Sequence, residues 1–196
     1  MKRALFCLLL MLQTTTCHAI EPLASAREAF AQALAAVYGI DIEKIVVQPQ
    51  HPGLPDNPFD PLATPPFFAL RADWPEVDPG PRGFATADGC VVTARFPDAI
   101  RHLLEAAGVQ QSPVPTDAIV RRLMWLYQPG TGNRLIDWHP QHTQVTTSVV
   151  AQDANGTIRA TWFVERGGHT GLVSVYRADF VLAPDNPPRF TESLLQ

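Results

Sequence analysis

The hexapeptide Asp137-Trp138-His139-Pro140-Gln141-His142 places a carboxylate and two imidazoles within six residues. Neutral imidazole nitrogen and carboxylate oxygen both suit zinc, so Asp137, His139 and His142 form one candidate metal set. Proline cannot continue a regular helix, so Pro140 prevents the two histidines from sharing a helical face. No glutamate stands where a zinc-dependent hydrolase would carry its base. The residues therefore read first as loop histidines on a turn entering a strand. No resident cofactor is expected.

A second constellation pairs a thiol with an imidazole. Cys90 lies in Gly89-Cys90-Val91-Val92, and His169 in Gly168-His169-Thr170-Gly171-Leu172-Val173. The latter segment resembles the histidine segment of papain-like cell-wall peptidases, in which a cysteine precedes the histidine along the chain. That resemblance implies a Cys90 nucleophile, a His169 base and an Asp179 that orients the ring. It departs from the pattern where those enzymes set the cysteine at a helix start, whose dipole lowers the thiol pKa. Val91-Val92-Thr93-Ala94-Arg95-Phe96 after Cys90 reads instead as strand. Taken alone, these residues describe a core thiol and a turn histidine. Gly-rich phosphate loops, paired acidic dyads and a Gly-x-Ser-x-Gly elbow are absent from the sequence.

The third feature offers binding chemistry. Between Pro49 and Pro81 ten of 33 residues are proline, and Pro49, Pro52, Pro55, Pro58 and Pro61 recur at every third position. Polyproline II has three residues per turn, so these rings would align along one edge and extend about 40 Å. Two readings follow. One is a stiff strip, Phe59 included, presented to a partner at little ordering cost. The other, favoured by the residues, is a rigid connection across the domain's own surface with Leu54 and Phe59 tucked into the core.

Charge and compartment narrow the partners. Lys2 and Arg3 precede an apolar run from Ala4 to Leu12, followed by Thr14-Thr15-Thr16 and Cys17-His18-Ala19. This is the layout of a cleavable export signal with its cut after Ala19. The run is shorter than the roughly 20 residues a membrane-spanning helix requires. Lipidation of Cys17 is the alternative fate, although the three residues before it are all threonine. Losing Lys2 and Arg3 lowers the net charge from −4 to −6 and leaves Cys90 as the sole cysteine. A mildly acidic chain without basic clusters lacks the footprint of a nucleic-acid or anionic-lipid binder. Two lysines against thirteen arginines suggest a GC-rich bacterial genome. The expected location is the periplasm.

The elements that position these residues read as α+β. Ser25 and Glu28 suggest a capping box ahead of a helix carrying Ala26, Phe30, Ala33, Leu34 and Val37, with Gly39 as its stop. Ile42–Val47 reads as a strand, Phe67–Ala72 as a short one, and Gly83–Phe96 as one or two more. Pro97 opens a second helix that Gly108 ends. Thr116 caps a third, with Ile119, Val120, Leu123, Met124 and Tyr127 forming its stripe. The last third predicts an antiparallel meander of strands 144–152, 158–164 and 172–182, the first two joined by the Asn155-Gly156 turn. Residues 20–196 are thus expected to form one domain: a meander of three or more strands, covered by the N-terminal helix and the helical hairpin.

Three functions are compatible with this reading. Foremost is an exported binding or accessory protein without catalysis, acting on an envelope protein as an assembly factor or immunity-type inhibitor. The others are a Cys90–His169 envelope hydrolase and a carrier of a small apolar ligand beside Trp162 and Val164.

Overall fold

The computed structural model describes residues 22–49, 67–75, 77, 80–96, 99–128, 132–167 and 173–196. It is a mixed α and β structure with three helices and two antiparallel sheets, one of four strands and one of five. Among the described residues no helix is long and apolar enough to cross a membrane.

Helix α1 spans 22–38, so Ser25 lies within the helix and not at its cap. Ala26, Phe30, Ala31 and Leu34 are buried, which is the i, i+4, i+8 spacing of one helical face. Gly39, at φ +65°, ends it as expected. Ile42–Lys44 then form a single 3₁₀ turn, with the Asp41 carboxylate accepting from the Glu43 N–H. The strand anticipated from Ile42 accordingly begins later.

The first sheet is a sequential meander of β1 (Val46–Pro49), β2 (Phe68–Asp73), β3 (Arg82–Ala85) and β4 (Val91–Val92). Alternation splits its side chains between two cores. Leu70, Ala72 and Ala85 pack with the buried face of α1, whereas Ala69, Phe84 and Val92 pack with the next two helices. Gly83 is where both neighbours press closest. A β-carbon there would lie 2.4 Å from the Val92 carbonyl oxygen and 2.6 Å from the Phe30 ring. From the helical side, the Trp125 indole N–H donates to the Gly83 carbonyl at 3.0 Å.

Helices α2 (Ile100–Ala106) and α3 (Thr116–Tyr127) follow one another along the chain and share one core cluster. Gly108, at φ +88°, closes α2. Thr116 does not cap α3 with its side chain; its hydroxyl donates back to the Val114 carbonyl. The buried residues of α3 are Ile119, Val120, Arg122, Leu123, Trp125 and Leu126, a wider set than one stripe. The reason is double contact, since one core cluster joins α2 and α3 to both sheets.

The second sheet comprises β5 (Asn133–Ile136), β6 (Val149–Gln152), β7 (Ile158–Gly167), β8 (Val173–Leu182) and β9 (Arg189–Leu194). Strands β7 and β8 pair along their whole length, and β5 and β6 share the other edge of β7 end to end. The Asn155-Gly156 hairpin forms as predicted: the Asp153 carboxylate accepts from the Asn155 and Thr157 N–H groups, and Gly156 takes φ +76°. Two expectations change. Residues 144–148 are not strand, because Val145 turns in to join Ile136, Phe163 and Val175 in a small core. The C-terminal tail is a strand, held by Phe190 stacking on Tyr127 and Trp162. Residues of α2 and α3 share a buried cluster with this sheet. The buried face of α1 packs on the four-stranded sheet, because a second sheet supplies a nearer apolar surface than the meander.

Because a β-carbon at Gly83 would meet the Val92 carbonyl oxygen, which cannot yield without moving backbone, and would press on the buried Phe30 ring as well, Gly83→Ala should lower the stability by about 1–3 kcal/mol. Urea unfolding checks this, and an unchanged midpoint would show that the three elements do not meet so tightly.

Candidate functional site

The loop from 137 to 148 links β5 to β6, and its two ends are fixed differently from its middle. Ile136 at one end and Val145 near the other are buried against Phe163 and Val175. Between them the His142 N–H donates to the His139 carbonyl and the Val145 N–H to the His142 carbonyl, giving two consecutive turns. The Gln141 N–H donates to His139 Nδ1 at 3.2 Å, so the neutral ring carries its proton on Nε2. The two imidazoles lie face to face at a tilt, with ring centroids 4.8 Å apart. His142 Nδ1 is buried without a hydrogen-bond partner.

Trp138 stands out from this braced loop. It is 70% exposed, whereas Trp74, Trp125 and Trp162 are buried. An indole held in water on a short, turn-fixed loop offers a large rigid contact at little conformational cost, the property that makes tryptophan a frequent interface anchor. In the sequence the histidines and Asp137 present themselves as metal donors, whereas nothing there marks Trp138 as exposed. Among the described residues no three His, Cys, Asp or Glu side chains converge as a metal set, so only the two imidazoles of the proposed trio come together.

Cys90 occupies the turn before β4. Its N–H donates to the Thr86 hydroxyl oxygen at 3.0 Å, its carbonyl accepts from the Thr86 N–H, and the Thr86 hydroxyl donates to the Asp88 carboxylate. Burial, and then the negative Asp88, push the thiol above its ordinary value. That is opposite to the activation a nucleophilic cysteine needs. His169, its proposed base, lies outside the described residues. Asp179 is already engaged: Arg177 donates to both of its carboxylate oxygens, and the Thr161 hydroxyl donates at 2.7 Å. Partial burial works against its ionisation, but these bonds outweigh it and hold the carboxyl below the usual range.

Of the proline strip, Pro49 closes β1 opposite Leu70, while Pro52, Pro55, Pro58, Phe59 and Pro61 lie outside the described residues. Trp162 and Val164, the proposed lining of a ligand cavity, are fully buried. The Trp162 indole N–H is satisfied by Gln128 at 2.9 Å, and its ring stacks on Phe190. Their positions are those of packed core residues.

No family model, curated protein or solved structure matches this chain. The functional reading therefore rests on the side chains themselves.

The raised thiol pKa has a direct chemical consequence. A chain lacking residues 1–19 carries Cys90 as its sole cysteine. Its iodoacetamide alkylation should be slower folded than unfolded at pH 8 and should climb at higher pH in the folded chain than in the unfolded one, because a raised pKa delays the reactive thiolate. An alkylation midpoint near pH 7 would instead identify an activated nucleophile.

Proposed function

We propose that this chain is exported to the bacterial periplasm and acts there by binding an envelope protein, without catalysis of its own. In this reading residues 1–19 are removed and residues 20–196 form one domain, with the proline-rich segment 49–81 on its surface. The partner is an assembly component, or a toxin that the chain neutralises as an immunity-type inhibitor. Trp138 anchors the contact, and the Pro49–Pro61 strip extends it.

The observation that carries the reading is the exposure of Trp138 on a loop whose flanks are buried. Water contact with an indole is unfavourable, and among the described residues no core cluster includes Trp138. A rigid indole exposed in this way offers contact area that another surface can cover. The raised Cys90 pKa supports the non-catalytic half of the proposal.

Two measurements test it. The native protein should begin at Ile20 and fractionate with the periplasm; a chain starting at Met1 and recovered from the cytosol would end the export reading. Once a partner is captured from envelope extract, Trp138→Ala should weaken its binding about 30-fold or more, the range of an interface hot spot. The thermal midpoint should stay unchanged, since the ring is outside the core. Undiminished affinity in that variant would remove Trp138 from the interface.

A further inference from the structure

The face of the second sheet turned away from the helices carries four arginines: Arg134, Arg159, Arg177 and Arg189. Two have carboxylate partners on the same face. Arg134 pairs with Glu165 at 2.6 Å, and Arg177 with Asp179 at 2.9 Å. Arg159 and Arg189 have no ion pair or hydrogen bond among the described residues, although the chain as a whole is acidic.

Register brings these two together. Arg159 on β7 lies opposite Val181 on β8, and Val181 lies opposite Arg189 on β9, so the three side chains leave the sheet in one row. Neighbouring strands are about 4.8 Å apart, which places the two arginine α-carbons roughly 10 Å from each other across the smaller valine. Two guanidinium groups at that separation can close on one ion between them. Like charges in one row otherwise destabilise a sheet.

The row opens into a solvent-facing cavity of about 300 Å³. Thr157, Arg159, Val181, Asn186, Pro187 and Arg189 line it, and no carboxylate does. The one acid of the adjoining turn, Asp185, lines a neighbouring cavity with Arg101. Arg101 itself is spent on backbone, donating to the Gly156 carbonyl at 2.9 Å. The walls of the Arg159–Arg189 cavity are therefore donor-rich and anion-free, with the Asn186 amide and the Thr157 hydroxyl beside two guanidinium forks.

We propose that this cavity binds a phosphate group, clamped between Arg159 and Arg189. Arginine's planar fork matches the tetrahedral oxyanion with paired, charge-assisted hydrogen bonds. The volume admits the phosphate and a small portion of whatever carries it. The carrier is either free phosphate or the head group of an anionic lipid: the sequence has no contiguous basic cluster, but strand register brings these two charges together, and the same pair would hold either. This site lies apart from the Trp138 loop and stands whether or not that loop binds a protein.

Isothermal titration of the chain lacking residues 1–19, with inorganic phosphate at low ionic strength, tests the site. Saturable binding is expected, weakened at least about tenfold by Arg159→Ala or by Arg189→Ala and lost in the double variant. Arg134→Ala, which removes an arginine that already has a partner, should leave it intact. All these side chains are on the surface, so thermal midpoints without phosphate should match the parent and confirm folding. Flotation with vesicles of phosphatidic acid in phosphatidylcholine separates the sources: co-flotation lost in the double variant assigns a lipid phosphate, and its absence alongside phosphate binding assigns the free ion. If the parent gives no saturable phosphate binding, or if Arg134→Ala weakens it as much as the paired variants do, the proposal is wrong.

Discussion

Two indole N–H groups tie helix α3 to opposite sheets. Trp125 donates to the Gly83 carbonyl in the first sheet, and Trp162 of the second sheet donates to Gln128 just beyond the helix end. Both bonds are buried, and an indole N–H left unpaired there would cost about 1–3 kcal/mol. Gly83 can accept the first only because it lacks a side chain, which lets Phe30, Val92 and Trp125 converge on one stretch of backbone. Gln128 extends the second, donating to Glu192 at 2.5 Å, and Arg166 donates to the same carboxylate while Asn133 accepts from Arg166. The last strand is thus locked to the helix through side chains as well as through its ladder with β8.

That double burial of α3 governs its composition. A helix lying on one sheet needs one apolar stripe; one held between two needs nearly all of its circumference. Arg122 is buried along with the apolar residues, and its guanidinium donates to the Ala118 carbonyl one turn back. Desolvation lowers the Arg122 pKa from its ordinary value. Tyr127 is in a similar position, its phenol buried and pushed up to about 12 while its ring packs on Phe180 and Phe190. These groups stabilise through their rings and stems, and their polar ends are tolerated because the surrounding packing holds them.

With one face of the second sheet consumed by this core, binding chemistry is left to the other face and to the loop that bridges β5 and β6. The two candidate regions differ in kind. Around Trp138 a braced backbone holds an apolar ring in water. Around Arg159 and Arg189 the register of three strands holds two positive charges that have no counterion among the described residues. Neither depends on Cys90 or on the paired histidines, whose chemistry attracted attention in the sequence.

Local order was readable from the chain alone, because it depends on near neighbours. The Asn155-Gly156 turn, the stops at Gly39 and Gly108, the helices α2 and α3 and the alternation of β7 and β8 all follow from periodicity and from the few residues that accept positive φ. What lay beyond reach required knowing which surfaces meet. The closing of β1–β4 into a sheet of their own, the burial of Trp125 and Arg122, and the conversion of the tail into β9 depend on contacts between residues far apart in sequence. The same holds for the outer-face arginines: Arg159 and Arg189 are thirty positions apart, and only the pairing of β7, β8 and β9 sets them in one row, with no acidic partner among the described residues. Sequence determines how each segment prefers to bend and which side of it avoids water. Tertiary structure decides which charges are neutralised and which aromatic is left uncovered, because both depend on what is packed opposite.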